Sequence, residues 1–214
     1  MSNLDITPIT NPDVDLDKAK LQLDEYGYTL ISDLIPRQDA LKMADRLMDL
    51  SVERGNSDGG GYQSLSCLYN HLDPDEYELF LPLVINPVVL ELVRHLIGTG
   101  YQMIGSDVVW RQPGVQAHAL HADVPMAWFG EQGLPVPRNL CFLIQSQWML
   151  TDFTRENGGT QLLPMSHLLG PPNKWPDENG EFQYMNDRVR LLREEIENGD
   201  PMGRLATMEG SAGS

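Results

Sequence analysis

The chain has 214 residues, 41% of them hydrophobic and 21% charged, a composition typical of a globular protein and not of a disordered or fibrous one. Its 15 basic and 31 acidic residues give a net charge of -16, which repels phosphate backbones and anionic lipids and disfavours nucleic acid and membrane as partners. Cys67 and Cys141 show no disulfide or zinc-site spacing, and no targeting segment is recognisable, so we expect a cytoplasmic protein.

The first hundred residues are predicted to be mainly helical. Apolar residues recur at helical spacing, and each run begins near an acidic, Asn or Pro residue or ends near a glycine. A short apolar stretch, Tyr28 to Ile31, predicts a strand between the first two helices. The predicted helices run from Leu16 to Gly27, from Pro36 to near Gly55, onward from Pro74, and from Asn86 to Gly98.

After Gly100 the sequence changes to strand-like runs bounded by Pro and Gly. The longest run, Asn139 to Leu150, is apolar on both of its alternating faces, which predicts a central strand that is covered on both sides. Helical periodicity returns from Asn186 to Asn198. Two more strands are predicted at Tyr101 to Arg111 and at Ala117 to Asp123.

His121 and Asp123 are the strongest candidate metal ligands. Two positions apart on a strand, their imidazole and carboxylate share a face within reach of one ion. Non-haem iron(II) sites use two His and one carboxylate and leave coordination positions open. A second His-x-Asp triplet starts at His71 and ends just before Pro74, where Asp73 is placed to cap a helix, so we interpret it as structural.

Three further motifs follow the metal pair in order. They are Trp-Met-Leu-Thr-Asp at 148–152, Glu-Asn-Gly-Gly-Thr at 156–160 and Pro-Met-Ser-His at 164–167. Together with the His-x-Asp pair, they resemble the phytanoyl-CoA dioxygenase family of iron(II)- and 2-oxoglutarate-dependent oxygenases. The resemblance covers about residues 20–214 and is strongest between Tyr101 and Gly170.

The resemblance implies an α+β fold: a double-stranded β-helix (jelly-roll, cupin-like) barrel with helices packed on the outside. Residues 1–214 would form one oxygenase domain, with a helical part at 1–100 and the barrel core at 101–214. In the family, a second iron-binding His and an Arg that binds 2-oxoglutarate follow a Gly-Asp or Gly-Ser turn. The sequence ends at Glu-Gly-Ser-Ala-Gly-Ser, so we expect the last strands of the barrel to belong to a longer protein.

The resemblance also implies roles for individual residues. His121 and Asp123 become iron ligands, and the Thr160 hydroxyl becomes a candidate for a hydrogen bond to the 2-oxoglutarate cosubstrate. Asn70 is a weaker candidate for the same contact. His118 stands where relatives often have a Gln that contacts the cosubstrate, so we expect a polar side chain near the metal. In the Pro-Met-Ser-His motif, Met165 replaces the usual Gly.

The sequence therefore predicts an iron(II)- and 2-oxoglutarate-dependent dioxygenase that uses O2 to oxidise a small organic molecule and releases succinate and CO2. Two other functions stay open. One is a barrel protein that binds a small ligand or metal without catalysis, and the other is a metal-dependent hydrolase or isomerase that uses the same pair.

Several other residues have competing interpretations. His167 is interpreted as a turn residue, although strand spacing also permits it as the third metal ligand. Trp148 is expected in the core. Asp152 and Glu156 flank a turn, and we reject them as a glycosidase carboxylate pair. A segment after the metal pair could form a substrate lid or simply pack, and its large apolar residues are Met126, Trp128 and Phe129.

Overall fold

A computed structural model describes residues 9–10, 14–53, 62–111, 141–169, 198 and 205–214. Its α-helices are α1 (Leu16–Tyr26), α2 (Arg37–Glu53), α3 (Tyr77–Phe80), α4 (Pro82–Ile85) and α5 (Pro87–Ile97). Short 3-10 helices cover Leu68–Asn70, Pro74–Glu76 and Ser166–Leu169. The strands are β1 (Ile9–Thr10), β2 (Ile31–Ser32), β3 (Tyr62–Leu65), β4 (Val108–Arg111), β5 (Gln161–Leu162) and β6 (Ala206–Thr207).

Helices α1, α2 and α5 begin and end within a residue or two of the sequence prediction, whereas the helix predicted from Pro74 is divided into a 3-10 turn, α3 and α4. The Asp15 carboxylate accepts the Lys18 N–H at 2.9 Å at the start of α1, which ends at Gly27 in a left-handed conformation. At the start of α5, Asn86 accepts the N–H groups of Val88 and Val89 at 3.0 and 3.3 Å. These caps satisfy backbone groups that the first or last turn leaves unpaired.

A small apolar cluster joins α1 to α5. It is built from the buried residues Ala19, Ile31 and Leu92, so β2 shares it with both helices. Two polar pairs flank the cluster: the Lys20 Nζ lies 2.8 Å from the Glu91 carboxylate, and the His95 Nε2 lies 2.9 Å from the Asp24 carboxylate. The pairs are partly exposed, so the free energy of this contact comes mainly from apolar burial.

The main core is centred on α2. Phe80, Met43 and Leu50 are completely or almost completely buried in it. Ala212, close to the end of the sequence, is buried in the same core, and Trp148 and Leu150 pack against it. The helical half and the C-terminal segment therefore share one core. Its other buried members are Ile35, Ala40, Leu47, Leu65, Leu68 and Leu72.

In the described part of the chain, the strands pair as three two-stranded sheets. β1 pairs with β2 in parallel, while β3 pairs with β4 and β5 with β6 in antiparallel register. The barrel implied by the family resemblance stays a prediction, because the predicted strand from Ala117 to Asp123 lies outside the described residues, as does most of the predicted helix from Asn186 to Asn198.

Three strand predictions need correction. Residues 141–149, in the predicted central strand, form neither strand nor helix. Instead, the Trp148 indole donates to the Leu83 carbonyl at 3.1 Å and Met149 is completely buried, so the apolar pattern reflects packing. The predicted strand from Tyr101 contracts to β4, and the strand predicted at Tyr28 is shifted to Ile31–Ser32. Strand bounds depend on the partner strand, which apolar alternation does not reveal.

Candidate functional site

The predicted site residues divide between described and undescribed parts of the chain. His118, His121 and Asp123 lie within 112–140, as do Met126, Trp128 and Phe129, and all of these fall outside the described residues. Thr160 and Asn70 are described. In the described ranges, no three His, Cys, Asp or Glu side chains come together as a metal site.

The Glu-Asn-Gly-Gly-Thr motif forms a tight turn that leads into β5. The Asn157 side chain accepts the Thr154 N–H at 2.8 Å and donates to the Asp152 carbonyl at 2.6 Å. In return, the Asn157 N–H donates to the Thr154 hydroxyl at 3.2 Å. Gly158 takes a φ of 92°, the left-handed region that favours glycine. Asn157 and Gly158 therefore explain the first half of the motif structurally.

Gly159 is required because another segment approaches it closely. A Cβ atom at this position would lie 2.6 Å from the Met208 carbonyl oxygen and 3.1 Å from the Thr154 carbonyl oxygen. The approach brings β6 alongside β5, where Thr207 is paired with Gln161. The motif thus places Thr160 at the start of a strand pair.

Thr160 is held by its backbone and its side chain. Its carbonyl accepts the Met208 N–H at 2.8 Å, and its hydroxyl accepts a hydrogen bond from the Gln147 amide nitrogen at 2.9 Å. Thr160 is half-buried, whereas Gln147 is exposed. Sequence reasoning missed Gln147, which lies outside the Glu-Asn-Gly-Gly-Thr motif and carries no signal of its own.

Asn70 ends the 3-10 helix Leu68–Asn70, and its side chain is exposed. Its N–H donates to the Cys67 carbonyl at 2.9 Å, and the Leu68 N–H donates to Ser106 at 2.7 Å. These bonds fix Asn70 beside the chain that enters β4. Among the described residues, no hydrogen bond joins Asn70 to Thr160, so their shared role stays a prediction.

The His71 triplet is structural, as its position before Pro74 predicts. The His71 Nε2 lies 3.0 Å from the Ser66 carbonyl oxygen. Asp73 forms a capping box with Glu76, whose carboxylate accepts the Asp73 N–H at 2.8 Å. The His71 Nε2 and the Asp73 N–H are therefore engaged within the local turn, which favours the structural interpretation.

His167 also makes structural contacts. Its Nε2 lies 3.1 Å from the Asp24 carbonyl oxygen at the end of α1, and its ring packs against Gly27. Burial lowers the pKa of the His167 imidazole. These contacts favour the interpretation of His167 as a residue of the turn after β5.

Met165 stands where the family resemblance leads us to expect a Gly, and its backbone has a conformation that favours glycine. Its φ is 67°, in the left-handed region, and its side chain is only 7% exposed. Its N–H donates to the Tyr26 carbonyl at 2.8 Å. Burial of the Met165 side chain therefore offsets the strain of this left-handed backbone.

Asp152 connects three parts of the chain. Its carboxylate pairs with Arg37 at the start of α2 and accepts the Ala212 N–H at 2.9 Å. Its backbone carbonyl accepts the Asn157 side chain. The hydrogen bond from Arg37, followed by the bond from Ala212, lowers the pKa of Asp152 to about 2.

The pKa of Glu156 is also lowered, by hydrogen bonds from its own N–H and from Thr154. Because a glycosidase acid needs a raised pKa, the lowered values at Asp152 and Glu156 support rejection of the carboxylate pair. Trp148 packs on the main core, as predicted. No helix in the described ranges has the length and apolar character needed to cross a membrane.

Comparison with known proteins identifies relatives over most of the chain. The dioxygenase af480 of Aspergillus fumigatus is 26% identical over 174 residues, which are 76% of this chain and 50% of that protein. The multifunctional dioxygenase prhA of Penicillium brasilianum is 37% identical over 92 residues, 42% of this chain and 26% of that protein.

The multifunctional dioxygenase ausE of Aspergillus calidoustus is 36% identical over 98 residues, 43% of this chain and 30% of that protein. The matched part of the chain thus spans half the length of these relatives or less. The model of the phytanoyl-CoA dioxygenase (PhyH) family matches residues 23–214, so the chain belongs to that family.

Proposed function

We propose that the chain forms part of an iron(II)- and 2-oxoglutarate-dependent dioxygenase that oxidises a small organic molecule and releases succinate and CO2. The main support for this proposal is the family match over residues 23–214, a range that includes the His121-x-Asp123 pair. The relatives that are named dioxygenases support an oxygenase rather than a hydrolase or isomerase. Hydroxylation is the proposed outcome, and the proposed fold is the double-stranded β-helix.

In this proposal His121 and Asp123 would hold the ferrous ion, since an imidazole and a carboxylate are ligand types that non-haem iron(II) sites use. When bound, iron and 2-oxoglutarate together supply the activation of O2 and the oxidation of the substrate. The chain's own contribution is to hold the ligands, orient the cosubstrate and limit access of water. His118, three residues before the first ligand, is proposed as a further polar contact near the metal.

Among the described residues, the Thr160 hydroxyl is the group that suits the cosubstrate best. A hydroxyl donates one hydrogen bond, and a carboxylate is an acceptor only, so Thr160 and a carboxylate of 2-oxoglutarate are complementary. Two observations support the role: Thr160 is half-buried, and its backbone is fixed at the start of the β5–β6 pair. The exposed amide of Asn70 is the weaker candidate for the same contact.

The test is coupled turnover by the full-length protein. With iron(II), 2-oxoglutarate and O2 supplied, we expect consumption of O2 and release of succinate in equal amounts, slowly without substrate and faster with one. Asp123→Ala should abolish both signals. Binding of 2-oxoglutarate without any succinate, across a broad substrate panel, would contradict catalysis and favour the non-catalytic ligand-binding alternative.

Thr160→Val tests the cosubstrate contact within the same assay. Because the variant keeps the shape of the side chain but removes its donor, we expect a raised KM for 2-oxoglutarate with a smaller change in kcat. Thr151→Val, at an exposed position that precedes the turn, serves as the matched control. An unchanged KM in Thr160→Val would contradict the assigned role of Thr160.

A further inference from the structure

We propose that Gln147 is a positioning residue, which orients the Thr160 hydroxyl so that its proton faces a carboxylate of 2-oxoglutarate. The inference rests on the proposed function, in which Thr160 contacts that cosubstrate. Its structural basis is the hydrogen bond from the Gln147 Nε2 to the Thr160 Oγ1, 2.9 Å long, between residues 13 apart in sequence.

The direction of this hydrogen bond decides what the hydroxyl can do. An amide NH2 group only donates, so Thr160 uses a lone pair of its Oγ1 to accept from Gln147. Its own O–H proton is then free for a second acceptor. Because a carboxylate is an acceptor with no proton to give, the arrangement favours an anionic partner over a neutral donor.

The two segments that carry these side chains are anchored independently of each other. After Gln147, Trp148 donates to the Leu83 carbonyl, and Met149 exchanges backbone hydrogen bonds with Gly213 and Ser214 at 2.8 and 2.9 Å. Thr160 is held separately by the Met208 N–H. The Gln147–Thr160 bond therefore adds little to the fold, since both segments are already fixed, and its effect is on the orientation of the hydroxyl.

Gln147 also suits a site next to an anion because its side chain is uncharged. A Glu of the same shape would accept the Thr160 proton and place a negative charge next to the site of an anion. Gln147→Glu therefore reverses both the hydrogen bond and the electrostatics without changing the size of the side chain. Gln147→Ala removes the bond without adding charge.

The experiment is calorimetric titration of 2-oxoglutarate into the full-length protein loaded with Mn²⁺, a redox-inactive substitute for iron(II). Loss of the charged hydrogen bond in Thr160→Val should raise the Kd by about 10- to 100-fold. Gln147→Ala removes only the group that orients the Thr160 hydroxyl, so it should raise the Kd for 2-oxoglutarate by about 3- to 10-fold. Gln147→Glu should raise the Kd by at least as much as Thr160→Val does.

Adding Gln147→Ala to Thr160→Val should change the Kd no further, because the residue acts through the hydroxyl. A merely structural role would give the same loss in both backgrounds and would lower the melting temperature, which we expect to stay unchanged. Gln102→Ala, at an exposed position on the chain that leads to β4, should bind 2-oxoglutarate like the wild type.

Each other outcome overturns a defined claim. Wild-type affinity in Gln147→Ala, combined with weak binding in Thr160→Val, would refute the positioning role alone. Wild-type affinity in Gln147→Glu would refute the donor direction on which the inference depends. Unchanged binding in Thr160→Val would refute the contact of Thr160 and leave the reaction class standing, whereas no binding by the wild type would refute the proposed function as well.

Discussion

In the helical region, residues 14–53 and 62–111, helices α1 and α5 are located by residues adjacent to each helix, whereas the C-terminal region, residues 141–169 and 205–214, is held together mainly by pairings between distant residues. In the first region Asp15 and Asn86 cap α1 and α5 from adjacent positions. In the second, Phe153 pairs with Gly210 and Met149 with Ser214. Helix caps can be predicted from a short stretch of sequence, but hydrogen bonds between distant residues cannot.

The two regions nevertheless share the main core. Ala212 is buried among residues of α2, and the Ile35 N–H donates to the Gly213 carbonyl at 3.2 Å. A perturbation of either region should therefore be felt in both. The following predictions test that dependence, and they run from the largest expected effect to the smallest.

Phe80→Ala should have the largest effect on stability. The side chain is completely buried in the shared core, so its removal should lower the free energy of unfolding by about 3–5 kcal/mol. Met48→Ala, on the exposed side of α2, should cost less than about 1 kcal/mol. Urea unfolding followed by circular dichroism and by tryptophan fluorescence measures both. Two separate transitions would contradict a core that is common to both regions.

Gly159→Ala should disturb the C-terminal region most. The added methyl would collide with the Met208 carbonyl, so β5 and β6 must separate, at a cost of about 1–3 kcal/mol in unfolding free energy. The matched control is Gly105→Ala, because a Cβ there meets no atom within 4 Å. Equal stabilities of the two variants would contradict the close approach of β6.

Met165 allows the cost of a left-handed backbone to be measured. Both Met165→Ala and Met165→Gly lose the buried side chain, but only Gly removes the strain at a φ of 67°. Met165→Gly should therefore be more stable than Met165→Ala by about 1 kcal/mol, the reverse of the usual order in regular structure. Thermal unfolding of the two variants measures this difference in stability. A Met165→Ala variant that is more stable than Met165→Gly would contradict a strained backbone at Met165.

Asp152 should make a small, pH-dependent contribution to stability. Its folded pKa of about 2 lies below the ordinary value of 3.8, so its contribution is complete above pH 3.8 and is lost as the pH falls toward 2. Asp152→Asn keeps the hydrogen-bond geometry without the charge. The stability difference between wild type and Asp152→Asn should shrink across that window. A difference that is constant with pH would contradict the Arg37 pairing.

The predictable part of the fold is the part with local signals. The N-cap residues, the prolines and Gly27 locate α1, α2 and α5 to within a residue or two of the sequence prediction. The predicted strand from Asn139 fails because Trp148 packs against the main core and Met149 is buried near Gly210, so neither side chain lines a sheet face. The spacing of apolar residues indicates that a segment is buried, but it does not indicate which other segment packs against it.

The candidate site divides in the same way. The motif at 156–160 was visible because a turn needs particular residues at particular places, and Asn157, Gly158 and Gly159 each have a structural reason. Gln147 contacts Thr160, 13 residues away, and Asp152 contacts Arg37 and Ala212 in distant segments, so no local pattern in the sequence reveals these contacts. Residues of this kind are found only once the chain is folded.

The central claim is that His121 and Asp123 bind the metal ion. The most direct measurement is anaerobic iron(II) binding by the full-length protein and by two matched variants, Asp123→Ala and Asp73→Ala, which alter the two His-x-Asp triplets. We predict that Asp123→Ala loses bound iron and that Asp73→Ala retains it, because Asp73 caps a turn. Wild-type iron content in folded Asp123→Ala would contradict the account.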